Sequence, residues 1–330
     1  MLITGASGLA GSHLCQACSR AGEEVLGVSR SGWVPSGSGE GRALDLRNRR
    51  SLAALLRDFA PDVIYHLASL SSVSRSWEDP AKTLSVNIDS ALSLLEALRT
   101  SAPATPVIWV STCELYGPVA RLPIAEESPP APANPYAVSK TAAEMLAVVY
   151  AQAHGLPIVR VRPFNHAGPG QRPIFLLSSL AMQGARARLA GARRLEVVTG
   201  NPDTRRDFTD VRDVVRAYRL LAEHALGGAG AATDKRSRAP LDPQREVYNV
   251  CSGRSVSAAE QVALLAQLLD PIEVVHVVDP ARVRAHEVMD LRGCNRRLRE
   301  LTGWIPEIEL RQTMADTVAW WERELAGEPH

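Results

Sequence analysis

The chain has 330 residues, 45% of them hydrophobic, and a formal net charge of +1. That length suits one large α/β domain or two unequal ones with a sizeable core. The near-neutral charge gives no basis for nucleic acid or a membrane surface as partner. No apolar run approaches the roughly 20 residues that span a bilayer. Nothing at the amino end has the basic, apolar, small-residue layout of a secretory leader, so the expected compartment is a reducing cytoplasm. Five cysteines are scattered along the chain. Cys15-x-x-Cys18 falls inside a predicted helix with no second pair or His cluster to complete a zinc site, so no metal is expected.

Met1 to Thr4 reads as a short apolar strand that runs into Gly5-Ala6-Ser7-Gly8-Leu9-Ala10-Gly11 and then a helix. Three glycines between a strand and a helix, opening a βαβ unit, let a pyrophosphate approach the backbone at the helix N-terminus. The strand is short for this motif: either it begins at Met1 or the true start lies a few residues upstream. Glu24 to Ser29 is a second strand, ending in Ser29-Arg30. An acidic residue there would serve a ribose 2′-hydroxyl, whereas an arginine pairs with a 2′-phosphate, so NADP(H) is expected rather than NAD(H).

Ser31 to Gly41 is Gly/Ser-rich and reads as a loop. Asp45-Leu46 follows, where the aspartate would reach an adenine ring or cap the helix from Arg47 to Phe59. Asp62 to His66 is the third strand, and His66-Leu67-Ala68-Ser69 lies where a strand end meets a cofactor; His66 itself reads as structural. Thr83 to Arg99 is helical, with polar Asn87 bonding backbone or water in the cofactor site, or facing solvent. Pro106 to Ser111 is a buried strand, and Thr112-Cys113-Glu114 follows at its carboxyl end. A hydroxyl there is placed to bond a substrate in an open parallel sheet.

The stretch Ala133-Asn134-Pro135-Tyr136-Ala137-Val138-Ser139-Lys140 organises the rest. Asn134 suits a helix cap and Pro135 the first turn. Four residues along a helix return a side chain to the same face, so Tyr136 and Lys140 should be neighbours. An ammonium beside a phenol lowers its pKa, giving a group able to move a proton near neutral pH, as carbonyl reduction requires.

Leu156 to Val161 is another strand, ending in Arg162-Pro163-Phe164-Asn165-His166-Ala167-Gly168-Pro169-Gly170-Gln171, a run of donors for a phosphate or sugar pocket. After it the alternation of strand and helix loosens. Phe175 to Leu189 reads as helix and Glu196 to Val198 as strand. Charge concentrates from Arg205 to Asp213, where a helix begins. Gly227 to Arg245 reads as a mobile insertion. Glu246 to Val250 and Glu273 to Val278 are strands, Ser257 caps a helix to Leu269, and Arg282, Arg284 and Glu287 share a loop. A last helix covers about Leu310 to Leu325.

Taken together, Thr4-Gly-x-x-Gly-x-x-Gly11, His66-Leu-Ala, Thr112 with Tyr116-Gly117, Tyr136-x-x-x-Lys140, Arg206-Asp207 and Arg284 with Glu287 resemble the extended short-chain dehydrogenase/reductase family over nearly the whole chain. Asn165 to Gln171, Arg206 to Asp213 and Thr302-Gly303-Trp304-Ile305-Pro306 look most like its GDP-4-dehydro-6-deoxy-D-mannose reductase branch. The resemblance implies a Rossmann-type, doubly wound parallel sheet for NADP(H) over 1–164 and a smaller lobe, mainly 165–330, for a GDP-linked sugar, the two interleaved. It implies cofactor contacts from Gly5, Ser7, Gly8, Leu9, Gly11, Arg30, Asp45, Leu46, Leu67, Ala68, Ser69, Asn87 and Pro163. Tyr136 would be the general acid, Lys140 would hold the nicotinamide ribose, and Thr112 would bond the sugar carbonyl. Cys113, Glu114, Asn165, Arg206, Arg284 and Glu287 would face the substrate, the arginines toward its diphosphate.

The implied reaction is reduction of the C4 ketone of a GDP-4-keto-6-deoxy-hexose to a GDP-rhamnose-type product. Two rivals stand beside it. One is a GDP-mannose 4,6-dehydratase, or another nucleotide-sugar dehydratase or epimerase, with Glu114 as base. Its pattern carries Asp or Ser where this chain has Cys113, and Gly-Gln-Asp-Gly where this chain has Gly5-Ala6-Ser7-Gly8. The other is a non-catalytic dinucleotide sensor, which needs the glycine loop but not Thr112, Tyr136 and Lys140. Relatives often carry Gly-Asp where this chain has Gly293-Cys294. They commonly pair as homodimers through the helices at Thr83 and Tyr136.

Overall fold

The strands marked by short apolar runs are buried along their whole length: β1 (Leu2–Thr4), β2 (Leu26–Ser29), β4 (Ile64–His66), β5 (Val107–Val110), β6 (Ile158–Pro163) and β10 (Val247–Val250). Unbroken burial is the signature of strands covered on both faces. In the computed structural model, which describes residues 1–227, 241–283 and 288–327, these strands form one parallel sheet in the order β10-β6-β5-β4-β1-β2-β3. Its edge strand β3 (Glu40–Ala43) lies just beyond and partly within the stretch expected to be loop. Glu-Gly-Arg-Ala has no apolar alternation and is exposed throughout; backbone pairing with Leu26–Ser29 makes it a strand.

Helices α1 (Leu9–Arg20) and α7 (Val211–Ala225) cover one face, with Leu14, Val214, Tyr218 and Leu221 in the core. Helices α2 (Arg49–Phe59), α4 (Pro80–Ser101) and α5 (Pro135–His154) cover the other, with Leu52, Leu94 and Ala147. The cap of α2 is Asn48, whose side chain accepts from the Ser51 amide; Asp45 instead pairs with Arg47. Helix α4 starts earlier than expected, with Asp79 as cap and Pro80 in its first turn, and a short α3 (Val73–Glu78) precedes it.

The smaller lobe is assembled from separated segments. Strands β7 (Asn165–Ala167), β9 (Arg205–Asp210), β11 (Ser255–Ser257) and β13 (Asp290–Leu291) form a second sheet, while β8 (Arg194–Thr199) pairs with β12 (Glu273–Val278). Helices α6 (Leu176–Leu189), α8 (Ala258–Leu269) and α10 (Leu310–Ala326) pack Leu180, Leu265 and Met314 into its core. α9 (Arg296–Thr302) returns to the main sheet beside β10. There Trp304 donates its indole N–H to the Asp213 carbonyl at 3.0 Å, and the Asp213 carboxylate accepts from the Glu307 and Ile308 amides. The insertion expected over 227–245 falls mostly on residues 228–240, outside the described residues.

Candidate active site

The carboxyl ends of the central strands open into a cleft of about 2620 Å³. A single small-molecule pocket occupies roughly 300–1,000 Å³, so this one has room for two large ligands. Its floor begins at the glycine loop. Gly5 has φ +73, and a Cβ there would stand 2.8 Å from the Ala68 nitrogen; a Cβ on Gly11 would stand 2.2 Å from the Gly5 carbonyl oxygen. Only glycine lets the loop, the strand end at Leu67-Ala68 and α1 close together. Gly8 is the N-cap of α1 and makes no side-chain cap, so the first amides of the helix open toward the cleft. Such a terminus fits a pyrophosphate, and the donor set therefore fits a dinucleotide.

Gly5, Ser7, Gly8, Leu9, Gly11, Arg30, Asp45, Leu46, Leu67, Ala68, Ser69 and Pro163 all line this cleft. Exposed Arg30 follows β2 directly, at the end where an adenosine ribose would lie. Asn87 does not line the cleft. It is buried on α4, accepts from the Leu70 amide at 2.7 Å, and donates to the Leu70 carbonyl at 3.2 Å and to the Ser139 hydroxyl at 2.8 Å. It therefore ties the loop after β4 to α5 and holds the cleft-lining residues of that loop from behind. His66 is structural, as its sequence context suggested. Its Nδ1 lies 3.0 Å from the Thr4 hydroxyl, its ring rests against Trp109, and burial pushes its pKa down to about 3.

Thr112, Tyr136 and Lys140 meet at the other end of the cleft, all three buried. Asn134 caps α5 as its sequence indicates, accepting from the Ala137 amide at 2.8 Å, with Pro135 in the first turn. The expected electrostatics are not what this arrangement gives. Burial pushes the Tyr136 phenol well above its ordinary value, Thr112 opposes this through its side-chain hydrogen bond, and Glu114 and Cys113 add to the upward shift. Lys140 does not act on the phenol. Its ammonium donates to the Val110 carbonyl at 2.6 Å, and burial lowers its own pKa to about 8. Tyr136 is therefore a neutral phenol over the whole physiological range, which is the form that donates a proton.

Cys113 and Glu114 also line the cleft. Burial drives the Cys113 thiol far up, so it stays protonated. Glu114 accepts from the Asn134 amide group at 3.0 Å, a bond that ties its carboxylate to the cap of α5. On the lobe side, Asn165 presents a buried side-chain oxygen without a hydrogen-bond partner, and Arg206 is anchored through bonds to the Arg205 and Val288 carbonyls, both 2.8 Å. Both line the cleft. Arg284 and Glu287 lie outside the described residues. At Gly293-Cys294 the working groups are backbone: the Gly293 amide donates to Asp207 and the Cys294 amide to the Ile124 carbonyl. The side-chain departure at Cys294 leaves those bonds in place.

Glu144 was missed at the sequence level. It follows Lys140 by four residues on the same face of α5, the signal that would have found it. Its carboxylate receives Arg162 at 2.6 Å and Arg160 at 3.3 Å, and Arg162 also donates to the Tyr116 hydroxyl at 2.9 Å. This buried network fixes α5 against β6 behind the end of the cleft that carries Tyr136.

Comparison with known proteins agrees with this architecture. The sequence profile of the family described as GDP-mannose 4,6 dehydratase matches residues 2–317. The GDP-6-deoxy-D-mannose reductase of Pseudomonas aeruginosa is 38% identical, with 99% of each chain covered. The solved structure of RMD from Pseudomonas aeruginosa complexed with NADPH is 37% identical, covers 98% of this chain and 99% of its own, and superposes with a TM-score of 0.78. A GDP-mannose 4,6-dehydratase of Yersinia enterocolitica is 28% identical over 96% of this chain and 92% of its own. A parallel sheet with a glycine loop, a cleft carrying Thr112, Tyr136 and Lys140, and similarity running end to end make this chain a member of the GDP-mannose 4,6-dehydratase family of extended short-chain dehydrogenases/reductases.

Proposed function

We propose that the chain reduces the C4 ketone of a GDP-4-keto-6-deoxy-hexose with NADPH, giving a GDP-6-deoxy-hexose of the GDP-rhamnose type. The observation that carries this reading is a buried Tyr136 sharing one cleft with Thr112 in a chain 38% identical, end to end, to a GDP-6-deoxy-D-mannose reductase. NADPH, when bound, supplies the hydride. The protein supplies the rest. The amides at the start of α1 and the Arg30 side chain hold the two phosphate-bearing parts of the dinucleotide. As the ketone oxygen gains charge, the hydroxyls of Thr112 and Tyr136 donate to it, and Tyr136 releases its proton to that oxygen. Lys140, one turn along α5, offers a donor to the nicotinamide ribose. Asn165 and Arg206 face the nucleotide sugar, the arginine toward its diphosphate.

The dehydratase reading needs a free base and an acid beside C5 and C6. Here Glu114 is bonded to the cap of α5, and Cys113 offers only a thiol, a weak hydrogen-bond donor, where an acid is needed. Both features favour reduction. Presence of all three reacting side chains in one cleft favours an enzyme over a sensor. Val138, Met145 and Val149 leave an exposed apolar strip along α5, beside exposed Leu92 of α4, which suits pairing of two copies; a single-chain mass by light scattering would remove that part of the reading.

The test is to supply NADPH with enzymatically prepared GDP-4-keto-6-deoxy-mannose and follow loss of the reduced-nicotinamide absorbance. Consumption that depends on the keto sugar is expected, and Tyr136→Phe should lower the rate about 10²- to 10⁴-fold, the usual worth of a positioned acid. Keto product formed from GDP-mannose and NADP⁺ without net cofactor turnover would replace the reductase reading by the dehydratase one.

A further inference from the structure

The loop that leaves β2 at Arg30 presents one large aromatic side chain to the cleft. Trp33 is 55% exposed, whereas Trp109 and Trp304 are sealed in the core. Single exposed apolar residues are ordinary on a protein surface. Trp33 differs in how firmly it is presented. A Cβ on Gly32 would stand 2.8 Å from the Ala43 nitrogen, so the loop lies directly on β3 just before Trp33. Just after it, Val34 packs against the core, its Cγ1 2.4 Å from where a Cβ on Gly27 would stand. The Gly32 amide donates to the Ser29 hydroxyl at 3.0 Å, and the Trp33 amide to the Ser31 hydroxyl at 3.2 Å. Both neighbours are held against the sheet, which leaves the indole facing outward from a pinned loop.

Trp33 lines the same cleft as Arg30, three residues before it, and as Asp45 and Leu46 after β3. Arg42 pairs with Glu40 and Arg47 with Asp45, both at 2.6 Å. Arg30 makes no such ion pair among the described residues, so its charge is left for a phosphate on the ribose. The remaining part of an adenosine is its purine, which is neutral, flat and aromatic. A purine gains from a π face rather than from a charge.

We propose that Trp33 is a cofactor-binding residue whose indole stacks on the adenine of NADP(H), beside the Arg30 guanidinium at the ribose phosphate. The inference rests on the reading that this cleft binds NADP(H).

The test uses the full chain and 2′,5′-ADP, which carries the adenine and the ribose phosphate but no nicotinamide. Stacking quenches indole emission, so 2′,5′-ADP should quench part of the fluorescence of the unaltered protein. That quench should be lost in Trp33→Phe, which keeps a smaller π face and should still bind the ligand by calorimetry. It should persist in Trp77→Phe, which alters the other exposed tryptophan of the cleft, on α3. Trp33→Ala should weaken NADPH and NADH by the same factor, about tenfold, because adenine is common to both. Arg30→Ala should weaken NADPH alone. The unfolding temperature of Trp33→Ala should not change. No quench in the unaltered protein, a quench that survives Trp33→Phe, unchanged binding by Trp33→Ala, a loss confined to NADPH, or a lowered unfolding temperature would each overturn the proposal. An unaltered protein that binds neither NADPH nor 2′,5′-ADP would instead overturn the cofactor reading beneath it.

Discussion

Glu144 sits behind the reacting end of the cleft against Arg160 and Arg162, whereas Asp207 sits in the lobe among neutral donors. Both carboxylates are buried. Burial alone would raise the Glu144 pKa, but Arg162, with help from Arg160, outweighs it and holds the acid below its ordinary value. Asp207 accepts from the amides of Ser252, Gly253 and Gly293 and from the Ser252 hydroxyl, at 2.6–3.1 Å. Those dipoles do not offset burial, which raises its pKa to about 6. The first acid is fixed by charge and joins one helix to one strand. The second is fixed by backbone geometry and gathers three chain segments.

The largest effect should come from breaking the charged corner. Glu144→Ala leaves two guanidinium groups buried without their partner and should cost about 3–5 kcal/mol in denaturant unfolding. A loss under 1 kcal/mol would mean that water or a shifted helix compensates them, and the contrast between the two corners would vanish.

The next test separates the corners by pH. Glu144 has a folded pKa below its unfolded value near 4.5, so its contribution is present above that value and lost as pH falls through the folded one. Asp207 behaves oppositely: its folded pKa of about 6 lies above 3.8, so its contribution is complete below 3.8 and is lost as pH rises through about 6. Stability differences between the unaltered protein and Glu144→Gln should therefore grow with pH in the acid range, and those with Asp207→Asn should shrink. Slopes of the same sign would show that the two acids are held alike.

A more exposed pair sets the lower end of the scale. His224 meets Glu246 at 3.2 Å, and that bond raises the imidazole pKa above 6.5. Its stabilisation should be about 0.2–1 kcal/mol, complete below pH ~6.5 and lost as pH rises through the folded pKa. His224→Gln should remove that slope from the stability curve and little else; an effect as large as that of Glu144→Ala would contradict the ordering.

What was legible in the sequence tracks how far each signal reaches. The glycine loop, the Asn134 cap and the Tyr136–Lys140 pair are written within eight residues or fewer, and the structure places them together in one cleft. Asp207 was visible as part of a charged run, but its partners lie 45 to 86 residues away. Asn87 likewise joins Leu70 and Ser139, 17 and 52 residues distant. Nothing in the local pattern announces those bonds. The pKa of Tyr136 was misjudged for a different reason. Spacing shows that Lys140 is near, but not that Val110 takes its ammonium, nor that both side chains are sealed from water. Strand β3 was unreadable because its residues carry no apolar pattern; its neighbour makes it a strand.

The place of β10 at the edge of the main sheet has a consequence for synthesis on the ribosome. Strand β6 ends at Pro163, but the strand that covers it ends at residue 250 of 330. For that interval the nascent chain carries an open, mostly apolar strand edge, and until α7 ends at Ala225 one face of the sheet beside it is uncovered as well. Such an edge invites pairing with a neighbouring polypeptide. Arg160 and Arg162 set two guanidinium groups on that waiting strand. The residues that hold α5 in the finished protein thus also place charge on the edge of the unfinished one.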